Sequence, residues 1–535
     1  MKFDESENWL TPPLPWRWFA VDIRSLTLFR ICLGLLLICD LLSRIPDVEA
    51  FFSDFGVCPR YAATGTLARS SWDVSVHLLS GKTILIQLLL AVQIAFAIGI
   101  VIGWKTRWCV FLSWVLLISI QNRNILVLDS GDVLLRSLMF WSLFIPLGNK
   151  WSVDHWQGKR PSSWANFKYR NQLISAGAIA VMAQLIMMYV FAGRLKTGAA
   201  WLETHTAIEQ AMRCDQFTRE AGYWLLNYPD LMKKLTWATI LLEKWGWLIL
   251  FTPVFIGPAR VLAALMFIGF HAGIESTMAL GSFQWVCMAA WMLLLPSWFW
   301  DTLLPWCSRP LRFARKWKTK ILAWIKTLAT HLWGAKKKQR VSSKPTRSWR
   351  STVMGAFICF FLLHLVLLWN LREDPGYAKM YENPALKKAK HWPLYLNHES
   401  DGLVRALSIE QKWSMFAPHP RIEDGWYVIV GETAAGETVD VLRHPLKVDW
   451  SKPERVAKSF PNVRWRKYLG NLWLKKHHKH RLYYARYLTR KWKREHPEKD
   501  WLKKFTIYFM KEETLPNGQE ATPKPFPIWN HDCLK

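Results

Sequence analysis

An apolar run that ends beside two basic residues constrains the fold of this chain more than any other feature. The run QLISAGAIAVMAQLIMMYVFAG is followed at once by Arg194 and two residues later by Lys196. Its length of about 20 residues is that of a helix crossing the hydrocarbon core of a bilayer. We therefore expect Lys196 at the level where hydrocarbon gives way to water.

A lysine at that level has two interpretations. It can be an end anchor whose long side chain reaches the aqueous interface. It can also be a reactive amine that dry surroundings keep neutral, since burial disfavours the charged form. The partners that the fold brings to Lys196 distinguish the two.

Further apolar runs predict that most of the chain is a membrane bundle. Hydrophobic residues make up 51% of the 535 residues, and 35 are Trp. The predicted fold is mainly α: a polytopic membrane helical bundle of about nine spans with a small α+β extramembrane C-terminal domain. The candidate spans are 25–45, 83–103, 106–122, 131–148, 172–195, 235–256, 258–277, 279–298 and 351–371.

Basic residues predict the orientation of these spans. The formal charge of +30 is concentrated in connections between apolar runs, which favours a membrane protein over a nucleic-acid-binding one. The loops 149–170 and 301–350 and the turns near Lys105 and Arg260 all fall on one face, which the positive-inside rule makes cytoplasmic. The predicted parts are a bundle at 1–304, a basic amphipathic cytoplasmic linker at 305–350, a final span at 351–371 and an extracytoplasmic α+β domain at 372–535.

Within the linker, Leu311 to Trp333 alternates basic and apolar residues. That pattern is typical of a helix lying on an anionic leaflet, and a solvated basic connection is the alternative. In the outer domain, Trp426–Val430 and Glu437–Leu442 predict a β-hairpin, and Phe505–Met510 a further strand. Between them, residues 464–492 have a helical pattern rich in basic and aromatic side chains.

The nine cysteines are scattered and contain no CxxC pair, so no metal site is predicted. A disulfide among Cys58, Cys214 and Cys533 is left open.

Several charged residues lie inside the predicted spans, where they normally face a protein interior. Arg30 is in the first span. Asp132 and Arg136 are four residues apart in the fourth, as are His271 and Glu275 in the seventh, so the members of each pair share a helix face. Mutual neutralisation between helices explains each pair, and a functional cavity is the alternative.

The second pair favours the cavity. Gly269 and Gly273 leave room for a helix or a ligand beside His271. By topology, one cavity near the outer end of the bundle collects His271, Glu275, Asp132 and Lys196.

Four segments resemble a known family. FRICLGLLLICDLLSRIPDVEAFFSDFGVCPR, QNRNILVLDSGDVLLR, YVFAGRLKTGAAW and FIGFHAGIESTMALGSF resemble the horizontally transferred transmembrane (HTTM) family, the membrane bundle shared with vitamin K-dependent gamma-carboxylases. The resemblance covers about residues 20–300.

The resemblance implies a site and a reaction. Ala192-Gly193-x-x-Lys196 with Trp201 is similar, without a gap, to the motif that holds the carboxylase's catalytic base, and Phe270-His271 is similar to a Phe-His pair of a later helix. In the carboxylase, the lysine deprotonates a reduced naphthoquinone (vitamin K type). Oxygen addition then gives an alkoxide, which takes a γ-proton from a peptide glutamate before carbon dioxide adds. A dry site serves this scheme, because water would quench the alkoxide.

This chain departs from the animal enzyme at one place: Gly131-Asp132 stands where that enzyme carries an Asn-His pair. Two functions remain. One is a membrane enzyme, carboxylase-like or quinol-dependent, with Lys196 as base and His271 beside it, and with a quinol and a peptide as partners in addition to the bilayer. The other is a non-catalytic scaffold or assembly factor that binds partners through its outer domain. The expected location is a bacterial inner membrane.

Overall fold

The protein is mainly helical, with a β-sheet near its carboxyl end. The computed structural model describes residues 14, 16–67, 74–158, 166–169, 171–307, 349–372, 374, 398–443, 445, 447–496, 501–515 and 519–534. Five helices among these residues are long and apolar enough to cross a membrane. They are Ile23–Phe52, which includes α1 (Ile23–Arg44) and α2 (Val48–Phe52), then α4 (Thr83–Ile102), α8 (Ala176–Leu195), α13 (Ile256–Thr277) and the Val353–Arg372 part of α16 (Trp349–Arg372).

The other predicted spans correspond to helices that are shorter or less apolar. They are α5 (Thr106–Arg123), α6 (Ser130–Ser142), α12 (Pro229–Trp245) and α14 (Phe283–Leu293). At a rise of about 1.5 Å per residue, α6 and α14 fall well short of the roughly 30 Å hydrocarbon core. The nine predicted spans are therefore supported only in part.

Shorter helices lie between or after these elements in the sequence. They are α3 (Arg60–Ala62), α7 (Val153–Trp156), α9 (Ala199–Leu202), α10 (Ala207–Met212), α11 (Glu220–Leu225) and α15 (Leu304–Cys307). A three-stranded sheet of β1 (Val21–Asp22), β2 (Asn166–Tyr169) and β3 (Gln172–Ile174), in the order β1-β3-β2, precedes α8.

The core of the bundle forms around α1 and α8. α1 packs against α4 and α14, while α8 packs against α6, α12 and α16. Local sequence sets where these helices begin: the side chain of Asp22 accepts from the amide of Arg24 at the start of α1, and Ser175 caps α8 by accepting from the amide of Ala178. α8 thus presents faces to three neighbours, which explains why most of it is buried.

The described part of the carboxy-terminal domain begins at residue 398 and contains both helices and strands. Its helices are α17 (His398–Ala406), α18 (Val463–Trp473) and α19 (His480–Glu495), and its strands are β4 (Glu423–Thr433), β5 (Thr438–Asp440), β6 (Leu502–Glu513) and β7 (Lys524–Asp532). The sheet is antiparallel in the order β5-β4-β6-β7. The predicted hairpin is confirmed by the pairing of Val430 with Asp440, and the helical segment before the last predicted strand is present as two helices.

Buried ion pairs join this domain to the bundle. Arg464 of α18 contacts Asp40 of α1 and Asp132 of α6, and Arg44 lies 2.6 Å from the Asp132 carboxylate. Arg136 donates to Glu410 at 2.9 Å. Asp132 and Arg136 therefore take separate distant partners, rather than each other as their spacing predicts, because the docked domain supplies a charge to each.

The structure answers the question of a disulfide, but it does not describe the amphipathic helix of the linker. Cys58, Cys214 and Cys533 are all free thiols, so the disulfide among them is absent. The amphipathic helix expected at Leu311 to Trp333 lies outside the described residues.

Candidate functional site

Lys196 is buried and paired at the carboxyl end of α8. Its Nζ lies 2.6 Å from Glu243 Oε2 on α12 and donates to the carbonyl of Ala192 at 3.3 Å. The residue is only 3% exposed. An end anchor reaches water, so this environment is not that of a snorkelling lysine.

Gly193 explains how the glutamate reaches the lysine. A Cβ at this position would lie 2.9 Å from Lys244 Cγ and 3.3 Å from Glu243 Cβ, closer than packed atoms normally approach. The absence of a side chain lets α12 come close to α8. The glycine of the Ala-Gly-x-x-Lys motif thus has a direct structural role.

Trp201 lies over the lysine and is held by the carboxy-terminal domain. Lys196 Nζ is 5.1 Å from the centroid of the indole, in cation–π distance. The indole Nε1 donates to the carbonyl of Phe416 at 2.8 Å, and the amide of Gly198 donates to the carbonyl of Pro418 at 3.1 Å. The segment 414–420 therefore closes the site from outside the bundle.

His271 reaches the same site from α13. Its Nε2 is 2.7 Å from the hydroxyl of Tyr189, and that hydroxyl accepts from Nε1 of Trp291 at 2.9 Å. His271 Nδ1 is buried and has no hydrogen-bond partner among the described residues. The ring is held through Nε2, and the residue lines the same cavity as Lys196.

These side chains line one small cavity of about 100 Å³. Its polar lining residues are Tyr189, Lys196, Thr239, Glu243, His271 and Gln284, and the remainder is apolar, with four methionines among it: Met188, Met212, Met278 and Met415. Ligand pockets usually measure about 300–1,000 Å³, so a two-ring compound enters only if side chains move. Methionines are suited to that, because their unbranched side chains repack easily.

A wider cleft of about 480 Å³ adjoins the cavity. Leu280, Phe283, Met415 and Phe416 line both spaces. Arg421, Arg466 and Lys467 also line the cleft, together with Asp129. Burial lowers the pKa of Arg466 to about 10, which leaves the guanidinium charged at neutral pH. The cleft therefore places cationic side chains beside the apolar cavity.

The other predicted site residues do not line the cavity. Asp132 and Arg136 take part in docking the carboxy-terminal domain. Glu275 accepts from Arg219 at 2.7 Å, so it does not pair with His271, and Arg30 donates to the carbonyl of Trp151 at 2.8 Å. A Cβ at Gly269 or Gly273 would meet no atom within 4 Å, so among the described residues no helix makes the close approach that these glycines allow.

Sequence reasoning missed three contributors to the site. Glu243 lies in the predicted span 235–256, and nothing in the sequence identified it as the partner of Lys196. Tyr189 lies seven residues before Lys196 on α8, a spacing that places both on one helix face. Gln284 carried no signal beyond being polar in a short apolar helix.

One cluster of three carboxylates in the described part of the chain has the spacing of metal ligands. It consists of Asp215, Glu512 and Glu520. Lys452 Nζ contacts all three at 2.6–2.7 Å, so an ammonium occupies the place that a cation would take.

A family model described as HTTM domain matches residues 18–298. No curated protein and no solved structure matches the chain.

Proposed function

The chain belongs to the HTTM domain family, and from this premise we propose that it is a multi-pass membrane enzyme acting on a quinol or similar lipid-like substrate in the cavity below Trp201. The observation that carries the proposal is the Lys196–Glu243 pair, buried at 2.6 Å in a largely apolar cavity. Two ionisable groups in a site of this kind are typical of proton transfer.

The direct contact between Lys196 Nζ and Glu243 Oε2 suits proton transfer between the two groups. We propose that, once a substrate is in place, a proton passes from Nζ to Oε2 across the 2.6 Å contact, which frees the amine to act as the base. Neutralisation removes the desolvation cost that a buried ion pair carries. The free amine then accepts a proton delivered into the cavity, and Glu243 holds the first one. Tyr189 and His271 extend this polar wall.

The residues that line the cavity suit the chemistry of a reduced naphthoquinone, but the cavity of about 100 Å³ is too small for it until side chains move. Such a compound supplies an acidic hydroxyl on an aromatic ring. Phe270, Phe283 and Phe416 offer apolar surface for the ring, and His271 Nδ1 offers a hydrogen-bonding atom without a partner in the described structure. We propose that the methionines move to admit it.

The proposal also covers the peptide partner and the arrangement of the protein in the membrane. The cationic cleft beside Phe416 suits an acidic peptide side chain, so a peptide partner is proposed to approach by this route. We also propose nine crossings of a bacterial inner membrane, with α6, α12 and α14 completed by the residues that follow them.

A non-catalytic scaffold is the competing function, and the same ion pair favours it. Two charges that neutralise each other satisfy a bundle without any ligand. Binding separates the two functions, because a scaffold has no need to accept a quinol between α8 and α13.

The test is a titration of the detergent-solubilised protein with menadione and with menadiol. Binding is measured as the quenching of tryptophan fluorescence. We expect saturable binding that is weakened at least about tenfold by Ala211→Leu, which fills the cavity, and unchanged by Ala221→Leu on the exposed surface. Equal binding by both variants would place the ligand elsewhere, and no saturable binding by the wild type would favour the scaffold.

Turnover is tested with Lys196→Arg. Arginine stays protonated at accessible pH, so quinol-dependent oxygen consumption should fall to the level of protein-free buffer while the melting temperature stays near that of the wild type. A variant that consumes oxygen at the wild-type rate would rule out Lys196 as base.

A further inference from the structure

Two side chains on the cavity wall have buried polar atoms without partners in the described structure. They are His271, through Nδ1, and Gln284, through both Oε1 and Nε2. Each residue is 1% exposed, and both line the cavity that contains Lys196. Gln284 is the more unusual, because its whole amide is unpaired.

A buried amide normally finds partners, since leaving it unpaired costs stability. Gln184, in the same bundle, illustrates the normal case. Its Nε2 donates to Gln411 Oε1 and its Oε1 accepts from Gln411 Nε2, both at 2.7 Å, and Trp141 Nε1 also donates to its Oε1. Both glutamines are almost fully buried, at 0% and 1% exposed, and they differ in whether their amides are satisfied.

We propose that Gln284 is a ligand-binding residue that acts with His271 to hold the oxygen of a hydroxyl or carbonyl group on a lipid-like ring compound. The inference rests on the proposed function and adds to it the residue that selects for the oxygen. A ligand hydroxyl donates to Gln284 Oε1, and a ligand carbonyl accepts from Nε2. The ring lies against the apolar side chains of Phe283, Ile274 and Met278, which line the same space.

The apolar lining makes oxygen recognition depend on these two residues. Apolar contacts do not distinguish an oxygenated ring from the same ring without oxygen. A site with unpaired hydrogen-bonding groups does, because the wrong ligand leaves them unpaired. Lys196 and Glu243 already satisfy each other, so Gln284 and His271 are the groups that gain most from a ligand oxygen.

The experiment compares Gln284→Leu with Gln184→Leu, using menadione, menadiol and 2-methylnaphthalene as probes. Affinities are measured by fluorescence quenching in detergent, and melting temperatures are measured without added ligand. We expect Gln284→Leu to melt above the wild type, since it removes an unpaired buried amide, and to bind both oxygenated probes about tenfold more weakly. Its affinity for 2-methylnaphthalene should be unchanged. Gln184→Leu should melt below the wild type, because it leaves Gln411 and Trp141 unpaired.

Two results would overturn the inference. One is a lower melting temperature for Gln284→Leu, which would mean that its amide stabilises the fold. The other is an unchanged preference of this variant for oxygenated rings. A wild type that binds all three probes equally would end the role of Gln284 while leaving the cavity as a ring-binding site. A wild type that binds none of them would end the proposed function itself, and the ligand assigned to Gln284 with it.

Discussion

Lys196 and Glu243 lie on different helices, yet their charged atoms are 2.6 Å apart, and their side chains are only 3% and 7% exposed. Each is the counter-ion of the other. The pair therefore ties the end of α8 to α12 at the point where the cavity begins.

Removal of one member of this pair should be costly, and removal of both should be mild. Lys196→Met or Glu243→Gln alone leaves a buried group without its partner, at about 3–5 kcal/mol where the remaining group stays charged. The double variant should recover most of that loss. Thermal unfolding of the four proteins in one detergent measures the coupling, and additive losses would show that the two groups do not interact.

Gly193→Ala should separate α8 from α12. The added methyl group meets Lys244 and Glu243, so we expect a loss of about 1–3 kcal/mol, typical of an overpacked site. Gly273→Ala is the matched control, since its methyl group meets no atom within 4 Å, and it should be neutral or slightly stabilising. If the two variants melt at the same temperature, the close approach at Gly193 does not hold the pair together.

Arg464→Met should loosen the carboxy-terminal domain. The substitution leaves Asp40 and Asp132 with Arg44 alone, and we expect a loss of about 3 kcal/mol together with faster limited proteolysis of the domain. Arg494→Met is the control, because its pair with Glu49 is on the surface and is worth about 0–1 kcal/mol. Similar proteolysis of both variants would contradict a docking role for Arg464.

Asp424 should make stability depend on pH. Burial raises the pKa of its carboxyl from 3.8 to about 6, and the charge of Asp215 acts in the same direction. Between pH 3.8 and 6 the folded protein holds a proton that the unfolded chain has released, so the free energy of unfolding falls as pH rises through this window.

Asp424→Asn lacks that titration. Its stability relative to the wild type should increase by up to about 3 kcal/mol between pH 4 and pH 7. The amide also loses one hydrogen-bond acceptor, which adds a constant penalty that does not vary with pH. Melting curves across the range measure the slope, and parallel curves for the two proteins would refute the shift.

The basic loops predict that the carboxy-terminal domain is extracytoplasmic. Single cysteines at Ala435, on the exposed hairpin turn, and at Lys337, in the basic linker, test this in intact cells with an impermeant thiol reagent. Labelling at Ala435 alone is expected. The reverse pattern, or equal labelling before lysis, would invert or discard the topology.

Local sequence determined the parts of this protein that depend on neighbouring residues. The apolar run before Lys196 formed α8, because its composition suits a long helix in an apolar environment. The hairpin of β4 and β5 formed around Gly436, whose φ of +85° is accessible to glycine without strain. Both features arise within a few residues of the chain, so periodicity and turn chemistry were enough to predict them.

The tertiary structure alone decided which side chains surround Lys196. Glu243 is 47 residues away, and Phe416, whose carbonyl holds Trp201, is 215 residues from that tryptophan. Helical spacing predicted that Asp132 would face Arg136, but in the folded protein Asp132 forms an ion pair with Arg464 of the docked domain. A periodic pattern specifies the face that a helix buries, whereas the partner of that face depends on how closely helices approach and which domain covers them. The cavity exists because α8, α12 and α13 and the segment 414–420 meet there, and that meeting is a property of packing.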